Sequence, residues 1–274
     1  MALTLCAAEA RQKHALVIGL GKQLDSSWST IHGDRDVKIV TAMLKSEGYT
    51  DITTLTNEQA TKSAIVGALQ AMTARAKTGD AIYIHFSGHG QRMTDIDGDE
   101  RDDAYDETWI PYDAYRRYCS ADHGEKHLSD DEVSELLTAL RGRVGQQGTI
   151  VVVVDACHSG DSTRGSDDTL CVRGVYDNFV IPNVTRGTAK PNEELWLTLS
   201  ACKSYQRNYE HPNGYGKLTY ALYSLRGDMG TMTNDEVEQT VNRYMQRADV
   251  SPVGVQTPVL TGERGRYNFA DAFR

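Results

Sequence analysis

TIVVVVDACHSG, residues 149–160, joins an unbroken apolar run to a cysteine and a histidine. Four consecutive valines suit a strand that is covered on both faces, as the strands of a parallel sheet are. Ligands of open α/β sheets bind beyond the carboxyl ends of the strands, and Cys157 stands at that place. The stretch therefore predicts a central strand with a candidate site at its end.

Predicted strands and helices alternate on either side of this stretch. The strands are expected at 14–20, 51–55, 81–90, 149–156, 195–201 and near 256–261, and the helices at 34–47, 58–76, 130–141, 216–226 and 233–247. Ser129 and Thr233 each precede a glutamate by three residues, which is the pattern of a helix capping box. Such alternation predicts an α/β fold with a mostly parallel central sheet between layers of helices. Two long polar segments, 91–128 and 158–193, interrupt the pattern.

Composition narrows the classes of function. The net charge of −9 argues against a phosphate-binding surface, so no nucleic-acid partner is expected. No apolar run approaches the roughly 20 residues that span a membrane. The five cysteines are scattered without a CxxC spacing, so the sequence indicates neither a zinc site nor a disulfide framework. Residues 1–12 are either a disordered tail or the remnant of an export signal, and the compartment stays open between cytoplasmic and exported.

Two predicted strands end in titratable side chains flanked by glycine. They are followed by SGHG, residues 87–90, and by DACHSG, residues 155–160. If these strands are neighbours, His89 and Cys157 meet, and an imidazole that takes the thiol proton produces a nucleophile. The backbone N–H groups of Gly90 and Cys157 are the expected oxyanion hole. The alternative is a buried structural cysteine and a hydrogen-bonded structural histidine, which is the commoner state of either residue alone.

HFSGHG and DACHSG resemble the histidine and cysteine motifs of the metacaspases and related caspase-like cysteine peptidases. The resemblance continues through HALVIGL, DIDGDERDDAYDETWIPYDA, LTLSACKSYQRNYE and QTPVL, and so covers about 14–262. It implies a caspase-like three-layer sandwich and a single peptidase domain over 13–274. A large portion of about 13–163 and a small portion of about 191–274 would be joined by a loop. The resemblance also implies that His89 is the general base and Cys157 the nucleophile.

The same resemblance implies cleavage after arginine or lysine. It assigns the pocket for the basic side chain to Asp36 and Asp155, with Ser87 and Ser200 as smaller lining positions. The spacing before Asp36 is one residue shorter than the commoner family pattern, which leaves Asp34 as an alternative. A buried carboxylate needs a cationic partner, and a substrate arginine supplies one. An aspartate two residues before the nucleophile argues against cleavage after aspartate.

Calcium is the one metal that the resemblance brings in, as an activator. It matches Asp106, Asp130 and Asp131 to calcium ligands of the family, and a fourth position falls in the loop after Cys157, where Asp161 and Asp167 are the candidates. The alternative is structural, because Asp130 and Asp131 suit the N-terminus of a helix. The acidic stretch beginning at Asp95 does not fit the EF-hand pattern, since Glu100 falls where glycine is needed. The peptidase chemistry itself requires no cofactor.

Members of this family are often zymogens that cut themselves in the segment matching 158–193. Arg173 and Lys190 are the first candidates for such a site, and an ordinary solvated loop is the alternative. We therefore expect a monomeric cysteine endopeptidase that cleaves protein or peptide substrates after Arg or Lys through an acyl-enzyme. The competing hypotheses are an inactive caspase-like binding scaffold and a calcium-responsive interaction module. The intact pair of His89 and Cys157 argues against the scaffold.

Overall fold

A computed structural model describes residues 11–98, 100, 104–157, 171–184, 187, 193–247, 250 and 255–274. The strands are β1 (Lys13–Gly19), β2 (Asp51–Thr56), β3 (Ala81–Ser87), β4 (Gly90–Thr94), β5 (Tyr105–Trp109), β6 (Leu128–Ser129), β7 (Thr149–Asp155), β8 (Leu197–Ser200) and β9 (Val259–Gly262). The helices are α1 (Gly33–Ser46), α2 (Lys62–Arg75), α3 (Asp130–Val144), α4 (Lys217–Ser224) and α5 (Asn234–Met245). Lys190 and the first ten residues lie outside the described ranges.

The central sheet has six strands in the order β2-β1-β3-β7-β8-β9. All neighbouring pairs are parallel except β8 and β9, which are antiparallel. Strand β3 lies directly beside β7, and the register pairs Ser87 with Asp155. The two strand ends that carry the histidine and cysteine motifs are therefore adjacent.

Helices cover both faces of the sheet. Val151 and Val153 of β7 belong to a core with α1, α4 and α5, whereas Val152 and Val154 belong to a second core with α2 and α3. All four valines are at most 5% exposed. Burial of each valine contributes about 1.5–3 kcal/mol relative to exposure, so these four positions stabilise the strand between the two helical layers. The predicted α/β sandwich with a mostly parallel sheet is confirmed.

The polar segment 91–128 contains more regular structure than its sequence indicates. Strands β4, β5 and β6 form a small antiparallel sheet, which the sequence analysis missed because these strands carry polar residues at most positions. Helix α2 begins at Lys62, later than predicted, because the Thr61 side chain accepts a hydrogen bond from the Ala64 N–H and caps the helix there. No helix among the described residues is long and apolar enough to cross a membrane.

Candidate active site

His89 and Cys157 each follow a paired strand end by two residues, since Ser87 of β3 is in register with Asp155 of β7. Both side chains are buried, with Cys157 2% and His89 0% exposed. The Cys157 thiol donates a hydrogen bond to the Gln206 carbonyl oxygen at 3.2 Å. The strand ends therefore place both residues of the predicted dyad at one edge of the sheet.

The environment of His89 sets which ring nitrogen carries the proton. Its Nε2 lies 2.8 Å from the Ser29 carbonyl oxygen, and the ring stacks on Trp28 at 5.1 Å. A carbonyl only accepts hydrogen bonds, so Nε2 is the protonated nitrogen and Nδ1 the basic one. Among the described residues, this buried Nδ1 makes no hydrogen bond. Burial lowers the pKa of His89 to about 4, so the imidazole is neutral at physiological pH and able to accept a proton.

The guanidinium of Arg173 fills a buried acidic pocket beside these residues. Its Nη1 lies 2.7 Å from Asp36 Oδ2, 2.5 Å from Ser87 Oγ and 3.7 Å from Asp155 Oδ1. Its Nε and Nη2 lie 3.2 and 3.1 Å from one oxygen of Glu210. The pocket thus contains both predicted aspartates, Ser87 and a third carboxylate.

The backbone of Arg173 lies against Cys157. The Cys157 N–H donates a hydrogen bond of 2.7 Å to the Arg173 carbonyl oxygen, and Gly174 forms a parallel bridge with Gly90. A Cβ on Gly174 would stand 2.4 Å from the Cys157 carbonyl oxygen, so only glycine fits there. The Arg173–Gly174 peptide bond therefore passes both residues that the sequence assigns to an oxyanion hole.

Asp36 and Asp155 differ in ionisation because their hydrogen bonds differ. Burial, reinforced by the charge of Asp155, raises the pKa of Asp36 to about 6 even though Arg173 opposes the shift. Burial also acts on Asp155, but Arg173 and donors from Thr219 and Asn208 hold the pKa of Asp155 below its usual value. The Thr219 hydroxyl lies 2.6 Å and the Asn208 amide 2.7 Å from this carboxylate. Asp155 is therefore the permanently charged member of the pair.

Glu210 is the pocket residue that the sequence analysis missed. It lies ten residues beyond β8, in a stretch with no periodic pattern, and its part in the pocket depends on how that loop folds back. The His32 N–H and its Nδ1 lie 2.7 and 2.6 Å from the two Glu210 oxygens and hold the carboxylate in place. The charge of Arg173 and the bonds from His32 keep the pKa of Glu210 low against the effect of its burial.

Ser200, which was expected to line the pocket, and Asp34, the alternative to Asp36, both lie outside it. Ser200 lies in a cavity of about 750 Å³ on the opposite face of the sheet, together with Glu107 and Cys202. The strand alternation explains this position, because Leu199 of β8 faces the core on the Asp155 side. The Asp34 carboxylate accepts a hydrogen bond from Asn57 and makes none with Arg173. The structure places Asp36, not Asp34, in the pocket.

The three aspartates matched to calcium ligands lie on β5 and at the start of α3. Desolvation of the carboxyl and the charges of Glu107, Asp131 and Asp106 raise the pKa of Asp130, so negative charge accumulates there. The carboxylate oxygens of the three, however, do not all lie within 4.8 Å of one another. Asp130 and Asp131 also occupy the first turn of α3, which the predicted capping box of Ser129 begins. The fourth expected ligand, Asp161 or Asp167, lies outside the described residues, so calcium activation stays a prediction.

Comparisons of the sequence with known proteins identify a family. The family model described as "Metacaspase, peptidase C14 domain" matches residues 13–164. Metacaspase-1A of Neurospora crassa is 34% identical over 253 residues, which cover 87% of this chain and 48% of the relative. Metacaspase-1B of Aspergillus fumigatus is 37% identical over 117 residues, which cover 40% of this chain and 26% of the relative. The chain thus spans about half, or less, of the length of these curated relatives.

Solved structures show the same fold. Protein GSU0716 from Geobacter sulfurreducens superposes with a TM-score of 0.67 at 20% identity, over 91% of this chain and 92% of the other. Caspase-1 from Spodoptera frugiperda superposes with a TM-score of 0.60 at 13% identity, over 92% and 86%. At these identities the likeness concerns the fold alone. The family model matches more than half of the sequence, and this match shows that the chain belongs to the metacaspase family of caspase-like cysteine peptidases.

Proposed function

We propose that the protein is an arginine-directed cysteine endopeptidase that first cleaves its own chain after Arg173. The observation that carries the proposal is the position of this one residue. Its guanidinium occupies the acidic pocket while its carbonyl oxygen accepts the Cys157 N–H at 2.7 Å. A substrate arginine would present the same two groups to the same partners.

The bond-making steps follow from this placement. Nδ1 of His89 accepts the thiol proton of Cys157, and Sγ attacks the carbonyl carbon of Arg173. The oxyanion forms where the Cys157 N–H already points. His89 then delivers its proton to the nitrogen of Gly174, the peptide bond breaks, and an acyl-enzyme remains. Water, activated by the neutral His89, hydrolyses the thioester and restores the thiol while a carboxylate is left on Arg173.

The charges of the pocket support selection of a basic side chain. Asp36, Asp155 and Glu210 are all buried, and Arg173 is the cation that they share. A substrate aspartate would add a fourth buried carboxylate with no cation, a large electrostatic cost. A lysine would satisfy the charge, but its ammonium has no counterpart of Nε and Nη2 and therefore cannot donate the pair of bonds that Glu210 accepts. We therefore rank arginine before lysine.

The proposal is tested on the full chain by gel electrophoresis and intact mass. Wild-type protein should yield two fragments that divide between Arg173 and Gly174, and Cys157→Ala should remain one band. Cys119→Ala, which removes a thiol away from the pocket, serves as the matched control and should cleave like the wild type. Cleavage of Cys157→Ala at the wild-type rate, or fragments from another bond only, would refute the assignment of Arg173.

Activity on external substrates is tested with fluorogenic peptides that end in Arg, Lys or Asp before the reporter. We expect turnover in the order Arg, Lys and then Asp. Turnover of the Asp peptide alone would contradict the pocket assignment, and no turnover of any peptide would favour the inactive scaffold.

A further inference from the structure

A second set of potential ligand atoms adjoins the acidic pocket. A ring nitrogen of His32, Sγ of Cys171 and an oxygen of Glu210 all lie within 4.8 Å of one another. His32 and Cys171 are partly exposed, whereas Glu210 is buried. We call these three residues the outer cluster. The bond-making steps proposed above use none of its ligand atoms except the Glu210 carboxylate.

Backbone pairing explains why Cys171 and Arg173 both face Glu210. The Arg173 N–H donates to the Asn208 carbonyl at 3.0 Å, the Glu210 N–H donates to the Cys171 carbonyl at 3.1 Å, and Val172 bridges Tyr209. In such an antiparallel pair the side chains at 171 and 210 lie opposite each other on one face. Side chains two residues apart share that face, so Cys171 and Arg173 point the same way.

The two oxygens of Glu210 have separate partners. Oε1 accepts the bonds from Arg173 and from the His32 N–H. Oε2 lies 2.6 Å from His32 Nδ1. A ligand bound at Oε2 therefore leaves the Arg173 contact in place, and the outer cluster and the occupied pocket are compatible in one chain.

The donor set is that of a borderline-soft metal ion. Imidazole nitrogen, thiolate sulfur and carboxylate oxygen are the ligands of Zn²⁺, and three protein ligands with one water is a common zinc arrangement. Burial, together with the neighbouring Glu210, raises the pKa of the Cys171 thiol, so the metal-free cluster holds protons. A bound metal would displace the Cys171 thiol proton. It would also displace the hydrogen between His32 Nδ1 and Glu210 Oε2, and this hydrogen would move to Nε2 of His32.

We propose that Zn²⁺, or a transition-metal ion of the same preference, binds His32 Nδ1, Cys171 Sγ and Glu210 Oε2. Cys171 belongs to the segment that presents Arg173, whereas His32 and Glu210 belong to the body of the domain. The bound ion would therefore hold that segment in the pocket and slow its exchange for another substrate. The binding itself needs no peptidase activity; its effect on substrate exchange rests on the proposed function.

Metal binding is measured on the full chain carrying Cys157→Ala, which removes the catalytic thiol and keeps the chain intact. Calorimetric titration with Zn²⁺ should give one tight site, and Co²⁺ should show the absorption band of a thiolate ligand. Removing a residue that only hydrogen-bonds to a metal ligand lowers metal affinity about 10–100-fold. Removing a ligand itself, by Cys171→Ser or His32→Gln, should therefore lower the affinity at least about 100-fold. Cys119→Ser is the control and should change nothing. Unchanged affinity in Cys171→Ser, or no binding by the parent, overturns the site.

Its consequence is measured on chains with an intact nucleophile. Zn²⁺ at a saturating concentration should slow turnover of an arginine peptide by the wild type much more than by Cys171→Ser, because only the wild type would keep Arg173 held in the pocket. Equal slowing in both would mean that the metal acts elsewhere, for instance on Cys157 itself, and would overturn the locking role. A wild type that turns over no arginine peptide even without metal would refute the proposed function instead, while the titration result would stand.

Discussion

Glu210 should make self-cleavage depend on arginine rather than on a positive charge alone. Two bonds, of 3.2 and 3.1 Å, run from Arg173 to one oxygen of Glu210 in a fully buried setting. A hydrogen bond to a charged group contributes about 1.5–3 kcal/mol, and these long bonds belong at the lower end, about 3 kcal/mol for the two. Replacing the carboxylate with a neutral amide roughly halves such bonds. Glu210→Gln should therefore cost about 1.5 kcal/mol, which is about tenfold in rate.

The assay is a double-mutant cycle on self-cleavage of the full chain, followed by band intensity against time. Arg173→Lys removes the donors that face Glu210 and should slow cleavage by about tenfold or more. The double variant should be little slower than Arg173→Lys alone, because the second change has no bond left to weaken. The expected coupling energy is about 1.5 kcal/mol, well above the limit of about 0.5 kcal/mol for independent sites.

Glu263→Gln provides the matched control, since this glutamate is exposed on the surface. Combined with Arg173→Lys, it should show no coupling. If Glu210→Gln and Arg173→Lys instead multiply to about a hundredfold loss, their effects are independent, and Glu210 does not read the guanidinium.

Three further outcomes are expected. Gly174→Ala should slow self-cleavage about 100-fold on the same gels, because its Cβ would lie 2.4 Å from the Cys157 carbonyl oxygen and a displacement of reacting groups by about 1 Å costs about 100-fold in rate. Gly67→Ala is the control, since the space around Gly67 is open, and it should cleave like the wild type. Equal rates for the two variants would contradict the close approach of Gly174 to Cys157. The pKa of Asp36, about 6 with Arg173 bound, must be higher in an empty pocket without that cation. Asp36 is charged and binds arginine above this pKa, and protonation weakens the binding as pH falls through it. The kcat/KM for arginine peptides should therefore decline in acid with a midpoint at or above pH 6. A midpoint near 4 would point to protonation of His89 instead. Arg173→Ala, made in the Cys157→Ala chain, leaves the buried carboxylates without their cation and should lower the free energy of unfolding by about 3–5 kcal/mol. The Tm should fall accordingly, and agmatine should partly restore it. An unchanged Tm would show that water enters the pocket freely.

The central sheet and the positions of His89 and Cys157 were predictable because local patterns determine them. Four valines in a row have no plausible place except a strand covered on both faces, and the glycine-flanked motifs mark where strands end. The antiparallel strands β4 to β6 were not predictable from their residues, because their side chains lack a clean alternation of apolar and polar positions.

The full pocket was only partly predictable. Asp36 and Asp155 came from motif resemblance, but Ser200 did not join them, because strand alternation turns its side chain to the other face of β8. Glu210 lies in a loop, and a loop residue acquires its neighbours from tertiary contacts that carry no local signal. The sequence offered Arg173 and Lys190 together as the first candidates for self-cleavage and did not choose between them. Its selection depends on the backbone pairing of 171–173 with 208–210, which is a long-range feature.

The position of the Arg173 side chain in the acidic pocket has a kinetic consequence for any substrate from another chain. An arginine on the same chain competes with free peptides at an effective concentration, which for short tethers is on the order of millimolar. If the chain cuts itself after Arg173 as proposed, the cut does not release this residue, because the covalent chain still connects it to Cys157. What changes at the cut is its charge: the new carboxylate brings a negative group to the mouth of a pocket that already contains three. The enzyme would thus expel its first product by repulsion, and the rate of that departure, more than the cut itself, would set when the pocket becomes open to other chains.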